Sequence, residues 1–269
     1  MLPEPIDPQE ADRYSRQMKV PQEADRYSRQ MKLLGTSGQE LLRNATVLVA
    51  GVGGLGGTAA LYLAAAGVGK LILAHEGVVV LPDLNRQILM SDDKVGEDRV
   101  STAAESLRRL NPEVEVEIHA ERIQYERSKA WVEAAHIVVD ARYDFPERYE
   151  LNRLCRDYGK PMVEAAMYGY EISLTTIVPG STPCLECLYP SPGAWEPLGF
   201  PVLGAVSGMA GCMAAMEVVK WVTGIGKVSS NVLLRLDAVT NTSYQVELSE
   251  VPKCPACKAK MERKVAEVG

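Results

Sequence analysis

The stretch ATVLVAGVGGLGGTAALYLAAAGVGKLILAHEG, from Ala45 to Gly77, decides the fold of this chain. It begins with a β-branched apolar run, passes through a glycine-rich turn into an alanine-rich segment, and ends in a second apolar run after Gly67 and Gly69. Two buried strands joined by a helix form a parallel βαβ unit, because parallel strands need a crossover connection. The stretch therefore predicts a parallel sheet with helices on its faces.

The rest of the 269-residue chain extends this unit and then changes its pattern. Helix-like and strand-like segments alternate as far as the strand that begins at Met162, after which turns, prolines and cysteines replace the alternation. The segment 231–248 is typical of a closing hairpin. We predict a doubly wound, Rossmann-like α/β fold whose mostly parallel sheet ends in mixed or antiparallel strands. Residues 21–269 are expected to form a single nucleotide-binding domain.

The N-terminus contains a perfect copy of a twelve-residue segment. PQEADRYSRQMK occurs at Pro8–Lys19 and again at Pro21–Lys32. One isolated copy is too short for a repeat architecture. We therefore interpret residues 1–20 as a duplicated arm, which arose by a recent duplication or as an artefact of the gene start. The second copy, beside the domain, is the one that we expect to be functional.

Charge and hydropathy exclude several classes of partner. The formal net charge of −6 argues against electrostatic binding of nucleic acid, which depends on clustered lysine and arginine. The chain has no uninterrupted apolar run of about 18 residues and no basic leader followed by an apolar run, so neither a membrane span nor a signal peptide is indicated. We expect a cytoplasmic protein that acts on a small molecule or on another protein.

The glycine turn is a candidate nucleotide site. Residues Gly51–Gly56 read GVGGLG, which fits Gly-x-Gly-x-x-Gly, and they lie between a strand and a helix as this motif requires. Glycines let backbone N–H groups and the helix N-terminus approach a phosphate closely. A plain tight turn is the alternative. An acidic residue about 20 positions further on binds ribose in dinucleotide-binding units; Glu76 could serve, but the following LNRQ at 84–87 is not typical of a nicotinamide-binding unit.

Four of the six cysteines form two Cys-x-x-Cys pairs. Two such pairs are typical of a closed tetrahedral zinc site, which ties distant segments together and has no open position for chemistry. A pair of redox motifs is the alternative. The other two cysteines, at positions 155 and 212, are expected to be core thiols. We predict a structural Zn²⁺ clip spanning 184–257, formed by Cys184, Cys187, Cys254 and Cys257.

Six segments in their order along the chain resemble one protein family. They are RYSRQMKLLG, GVGGLGGTAALYLAAAGVGKLIL, DLNRQIL, LNPEVEVE, CLECLYP and CPAC. On these segments the chain is identified as a member of the MoeB/ThiF/HesA family, the bacterial and archaeal relatives of ubiquitin-activating enzymes. The resemblance extends from Arg26 to Lys258, and it implies the doubly wound fold, the zinc clip and a homodimer.

The resemblance also implies a reaction. Members of the family bind Mg-ATP and adenylate a carboxylate, typically the C-terminal Gly-Gly of a small ubiquitin-like sulfur-carrier protein, and they release pyrophosphate. Such chemistry needs cations, because displacement at the α-phosphate develops negative charge on the leaving group. We therefore expect an adenylyltransferase that uses ATP and Mg²⁺, and whose substrate is a sulfur-carrier protein or a small biosynthetic carboxylic acid.

Matched position by position, the resemblance assigns most of the nucleotide site. It places Arg86 on the phosphates of the nucleotide. It places Arg29, with Arg26 as a further candidate, on the phosphates held by the partner subunit, so that the dimer would complete each site. The remaining nucleotide contacts that it implies are Gly51, Gly53, Gly54, Gly56 and Asn85.

Three positions around the nucleotide depart from the family pattern. The ribose-binding aspartate is replaced by His75, and Glu76 could take its role by a shift of one residue. Asp83 replaces an asparagine and adds negative charge near the phosphates. Arg99 replaces a phosphate-binding lysine; it retains the charge, but a planar guanidinium does not mimic a compact ammonium.

The magnesium position departs as well. The family's metal-binding aspartate falls on Tyr143. Asp140 and Asp144, which lie on either side of it, are the candidates for a shifted metal ligand, whereas Arg142 would compete with a metal.

Two functions are therefore compatible with the sequence. An active adenylyltransferase is favoured by the intact glycine turn and by the phosphate-binding arginines. A catalytically degenerate, dimeric carrier-binding module is favoured by the replacements at His75, Asp83 and Tyr143. A nicotinamide-dependent role on the same fold is a third possibility. The loop 191–204 after the first zinc pair has no cysteine, so any activity is expected to stop at the acyl-adenylate.

Overall fold

Eight strands form a single mixed sheet in this computed structural model, which describes residues 21–191, 200–248, 254, 256 and 257. In chain order the strands are β1 (Thr46–Ala50), β2 (Lys70–Ala74), β3 (Glu115–His119), β4 (Ile137–Asp140), β5 (Met162–Tyr168), β6 (Glu171–Ile177), β7 (Val232–Asp237) and β8 (Thr242–Glu247). Their spatial order is β3-β2-β1-β4-β5-β6-β7-β8. The strands from β3 to β5 are parallel, and β6 to β8 are added antiparallel. The predicted sheet is confirmed.

The helices cover both faces of this sheet. Within the described ranges they are α1 (Pro21–Arg43), α2 (Gly54–Ala66), α3 (Arg99–Leu110), α4 (Tyr125–Ala134), α5 (Phe145–Asp157), α6 (Leu185–Leu188) and α7 (Gly204–Thr223). The first of them is broken at Gly35, whose φ of 69° lies in the left-handed region. The duplicated arm 1–20 lies outside the described residues, so its interpretation stays a prediction.

Alternate residues of the central strands enter two different cores. In β1, Val47 and Val49 pack with α2, α3 and α7, whereas Leu48 and Ala50 pack with α4 and α5. Because both faces of the strand are buried, its sequence is continuously apolar rather than alternating. At the edge of the sheet, β3 is mostly accessible: Val116 is its one buried residue, and Glu115 and Ile118 are exposed.

Helix α7 is packed against α2 at very short range. A Cβ on Gly211 would lie 2.4 Å from the carbonyl oxygen of Leu55, so only glycine allows this approach. By length and composition α7 could cross a membrane, but 44% of its most apolar window is buried, and core helices pass the same test. Cys212 is exposed, so the expectation that it is a core thiol was wrong; Cys155 is buried as expected.

Candidate nucleotide site and metal centre

Three strand ends meet at one edge of the sheet. β1 lies between β2 and β4 and is parallel to both. Because the carboxyl ends of parallel strands lie at the same edge, the segments that follow them, at 51–56, 75–80 and 141–144, converge. From β1 the chain adds β2 and β3 on one side, and it then returns to add β4 on the other side of β1. Doubly wound folds bind their ligands at such a switch point.

The glycine turn has the backbone that a phosphate site needs. Gly51 has φ 100°, and a Cβ on Gly56 would lie 1.8 Å from the carbonyl oxygen of Gly51, so both positions require glycine. A Cβ on Gly53 would have no atom of the described residues within 4 Å, so these residues leave space beside the turn at this position. The first turn of α2 contains no acidic residue, so its free N–H groups face no opposing carboxylate on their own helix.

His75 occupies the position of the expected ribose-binding aspartate. It is buried, and its Nδ1 accepts a hydrogen bond from the backbone N–H of Val52, 2.8 Å away in the glycine turn. Its Nε2 lies 3.1 Å from a guanidinium nitrogen of Arg99. Burial, and then the charges of Arg142 and Arg99, hold the pKa of His75 well below its ordinary 6.5. The ring is therefore neutral and supports the turn.

Asp83 lies between Arg86 and Arg99, the two arginines that are candidates for binding phosphate. Its Oδ2 accepts a hydrogen bond from Arg99 (2.7 Å), and its Oδ1 lies 3.4 Å from Arg86 NH2. Arg86 also donates to the Oδ1 of Asn85 (2.9 Å). A Cβ on Gly54 would lie 3.2 Å from the Cγ of Arg86, so this pair of cations is beside the start of α2. Both arginines are thus placed near the glycine turn.

The acidic residues at the same edge are paired with arginines. Glu76 follows β2 and binds Arg142, with an oxygen 3.0 Å from NH2 of that residue. The same guanidinium donates to Glu147. Arg122 donates to Asp144 and lies 2.8 Å from Glu147. Asp144 also caps α5 by accepting from the N–H of Glu147. Burial raises the pKa of Glu147, although the charge of Arg142 opposes this shift.

Asp140 belongs to a separate, fully buried ion cluster. Its Oδ2 accepts a hydrogen bond from Nε of Arg148 at 2.8 Å, and its Oδ1 accepts from the N–H of Arg142. Arg148 also donates to Glu164 at 2.6 Å. Neither carboxylate has any side-chain exposure. Burial raises the pKa of Glu164, although the charge of Arg148 opposes this shift.

These contacts leave a poor donor set for magnesium. Mg²⁺ requires a near-ideal octahedron of oxygen ligands, to which a protein usually contributes one or two free carboxylates. The oxygens of Asp140 and Asp144 already accept from arginines or from backbone N–H groups. Tyr143 is partly exposed and supplies no carboxylate. The residues in this arrangement therefore do not fit a divalent cation, and the assignment of Asp140 and Asp144 as its ligands stays a prediction.

Arg29 lies far from the glycine turn of its own chain. It is exposed on α1, next to Gln30, which donates a hydrogen bond to the carbonyl oxygen of Ala66 at the end of α2. The turn lies at the other end of this 13-residue helix, about 20 Å away at 1.5 Å per residue. Arg26 is held by the carbonyl oxygen of Leu110. Within one subunit, Arg29 therefore does not reach the pocket.

The four cysteines of the two pairs are brought together. Their sulfurs all lie within 4.8 Å of one another. The Cys184–Cys187 and Cys184–Cys254 separations are both 3.8 Å, and the Cys187–Cys257 separation is 3.6 Å. A tetrahedral site with Zn–S bonds of about 2.3 Å has sulfurs about 3.8 Å apart. The cluster could therefore hold a metal, and its geometry fits zinc.

The fold and the glycine turn define a nucleotide-binding protein of the doubly wound class. The chain belongs to the ThiF family, a family of E1-like adenylyltransferases, whose sequence profile matches residues 27–258. The resemblance inferred from the sequence motifs is confirmed.

Individual proteins that are similar to this chain support the family assignment. The chain is 47% identical over 252 residues to "Protein HesA, heterocyst" of Trichormus variabilis, covering 94% of this chain and 90% of that protein. It is 34% identical over 260 residues to the "Sulfur carrier protein adenylyltransferase" of Thermus thermophilus, covering 93% and 91%. The crystal structure of E. coli MccB with MccA-N7isoASN has the same fold, with a TM-score of 0.78 at 24% identity over 87% of this chain and 74% of that one.

The sequence analysis missed several charged residues near the carboxyl ends of the central strands. Arg122 lies in a connection after β3, and Glu147 and Arg148 lie in α5, where charged residues are ordinarily solvent-exposed. Glu164 lies inside a buried strand. A carboxylate in an otherwise apolar strand was the one available signal, because charged residues are almost never fully buried unless they are paired.

Proposed function

We propose that this protein binds ATP at the glycine turn and adenylates a carboxylate, the C-terminal Gly-Gly of a ubiquitin-like sulfur-carrier protein. The observation that carries the proposal is the placement of Arg86 and Arg99 together, bridged by Asp83, beside the open glycine turn. The name of the relative from Thermus thermophilus supports the choice of substrate. The proposal includes a structural Zn²⁺ in the cysteine clip and a cytoplasmic location.

The proposed chemistry is an in-line displacement at the α-phosphorus. A carboxylate oxygen of the carrier attacks the α-phosphorus, the bond from that phosphorus to the bridging oxygen breaks, and pyrophosphate leaves with the electron pair. Arg86 and Arg99 stabilise the charge that develops on the leaving group, and the N–H groups of the glycine turn hold the phosphates. The product is the acyl-adenylate.

A homodimer would complete the proposed site. Arg29 lies about one helix length of α2 from its own glycine turn, so its role on the phosphates requires the turn of a second subunit. In a two-fold dimer each subunit would then supply Arg29 to its partner's site and receive Arg29 in return.

Exchange of labelled pyrophosphate into ATP tests the proposal. We expect exchange with a carrier that ends in Gly-Gly and none with the same carrier lacking its last glycine. Arg86→Ala should abolish the exchange, because it removes a cation that acts on the leaving group. Arg153→Ala, which removes an exposed arginine on α5, is the matched control and should retain exchange. Retained exchange in Arg86→Ala would exclude our assignment of the phosphate site.

A second candidate function is a catalytically degenerate module that binds the carrier without activating it. It is favoured by the ion pairs at the pocket edge. There arginines bind the carboxylates that a metal would need, those of Glu76, Asp144 and Glu147. This candidate predicts stoichiometric carrier binding that ATP does not change, with no pyrophosphate exchange. Exchange with small carboxylic acids but not with the carrier would instead identify a small biosynthetic acid as the substrate.

A further inference from the structure

The side chain of Arg142 forms part of the floor of the glycine turn. Its Cδ is 3.3 Å from the position that a Cβ would take on Gly51, and the carbonyl oxygen of Ala141 is 2.6 Å from the same position. Only 1% of the Arg142 side chain is exposed. The residue therefore lies directly beneath the backbone that is proposed to hold the phosphates.

Two carboxylates from different elements hold Arg142 in this place. Glu76, after β2, and Glu147, in α5, both accept hydrogen bonds from its NH2 group. The Nε of Arg142 is buried and has no hydrogen-bond partner among residues 21–191, 200–248 and the described part of the clip. A buried donor without a partner is costly, and a phosphate oxygen would satisfy it.

The same contacts conflict with a divalent cation. Mg²⁺ needs oxygens that are free to coordinate it. Here Arg142 and Arg122 already engage Glu76, Asp144 and Glu147. A fixed positive charge in a buried site repels a cation more strongly than the same charge in water. A guanidinium can also supply both the charge and the N–H donors that phosphate oxygens need.

We propose that Arg142 takes the place of the divalent cation, so that this pocket binds a nucleoside triphosphate without magnesium. The inference rests on the proposed nucleotide site. The positive charge at the phosphates is then supplied by the chain itself, at a position fixed by Glu76 and Glu147.

The test uses calorimetric titration of the full, zinc-loaded chain with sodium ATP. Buffers are freed of divalent ions with a chelating resin, since a soluble chelator would also attack the cysteine clip, and magnesium is added back in a second series. For the unmodified protein we expect dissociation constants that agree within about threefold in the two series. Arg142→Ala should bind ATP only with magnesium. Arg142→Lys retains the charge and should remain independent of magnesium. Arg122→Ala, which frees part of the same carboxylates but keeps Arg142, should also remain independent.

Magnesium-dependent binding by the unmodified protein would overturn the inference. If that protein binds no ATP in either series, the proposed function fails, and titration with Mn²⁺ alone, followed by electron paramagnetic resonance, decides the inference separately. We then expect no Mn²⁺ site in the unmodified protein or in Arg142→Lys, and one new site in Arg142→Ala that disappears when Glu76→Gln is added, because Glu76 is the carboxylate that loses Arg142. A Mn²⁺ site in the unmodified protein that is lost with Asp144→Asn would overturn the inference.

Discussion

Asp83 shows how a single replacement reorganises the charges of this pocket. Its two oxygens accept from Arg99 and from the side chain of Gln87, while Arg86 lies near the same carboxylate. An asparagine, which the family pattern places here, offers one acceptor oxygen and no charge. The carboxylate therefore holds two arginines that would otherwise repel each other, and it lowers the net positive charge available to a phosphate.

His75 should make the stability of the protein depend on pH between about 7 and 5. Burial and the facing guanidinium groups of Arg142 and Arg99 hold its pKa in the folded state well below 6.5, whereas the unfolded chain has the ordinary value. The unfolded state therefore takes up the proton first as the pH falls. The stabilisation by neutral His75 is present above pH 6.5 and is lost as the pH falls towards the folded pKa.

The variant His75→Asn isolates this effect. Its side-chain oxygen can accept the hydrogen bond from Val52, but it does not titrate. Urea unfolding at pH 7, 6 and 5 should show the unmodified protein losing stability relative to the variant, by at most about 1.4 kcal/mol for each pH unit. Since other titrating groups are common to both proteins, they cancel in the difference. Parallel pH curves would contradict the assignment of a depressed pKa.

Arg148 should be one of the most stabilising charged residues. Arg148→Ala leaves the carboxylates of Asp140 and Glu164 buried without their cation, and breaking a buried ion pair in this way costs about 3–5 kcal/mol. Arg153→Ala on the same helix removes an exposed pair with Glu150 and should cost less than about 1 kcal/mol. Urea denaturation followed by circular dichroism measures both. Equal losses in the two variants would show that the cluster around Arg148 is not a buried ion network.

The sequence could identify the positions of the site but not the pairing between them. His75, Asp83, Arg99 and Tyr143 stand out because each departs from a family motif. Their new partners come from distant segments: Arg122 precedes α4, and the residues of α5 have no motif. Whether two charged side chains form an ion pair depends on how the fold brings their segments together. The hydrophobic periodicity of the sequence contains no information about these contacts.

At the scale of elements, hydrophobic pattern and turn residues predicted most of the fold. The glycine-flanked α2 and the hairpin of β7 and β8 occur where the sequence indicates them. The helices α1 and α4 were missed. α4 begins after Gln124, which provides no side-chain cap, so its start lacks the usual signal. α1 includes the second copy of the repeated segment and is interrupted at Gly35, which obscures its periodicity.

The cysteine clip joins α6 to the end of the described chain, so we expect it to act on stability. Cys184→Ser should lower the bound zinc from one per chain towards zero and should lower the melting temperature, by roughly 2–4 °C for each kcal/mol of lost stability. Metal analysis and thermal unfolding measure the two effects. Cys212→Ser, which changes an exposed thiol outside the clip, is the control and should change neither. An unchanged melting temperature in Cys184→Ser would argue against structural zinc.

At the scale of the whole molecule, the position of Arg29 determines how two subunits would share a site. The residue is exposed on α1 and lies at the far end of α2 from the glycine turn, whereas Arg86 is beside the turn of its own chain. If each proposed site combines Arg86 of one subunit with Arg29 of the other, single variants at either position lose both sites of a homodimer. A mixed dimer of the two variants keeps one site in which both arginines are intact.

Mixing the two inactive variants therefore tests the shared site directly. Arg29→Ala and Arg86→Ala should each lack pyrophosphate exchange, and equal amounts unfolded and refolded together with zinc should recover about one quarter of the unmodified activity, because half of the dimers are mixed and each contains one complete site. Each variant refolded alone is the control and should remain inactive. Recovery requires that Arg29 act across the dimer: if it acted within its own chain, every site of a mixed dimer would lack one arginine. Absence of recovery, with mixed dimers shown by mass spectrometry, would place Arg29 outside the shared site.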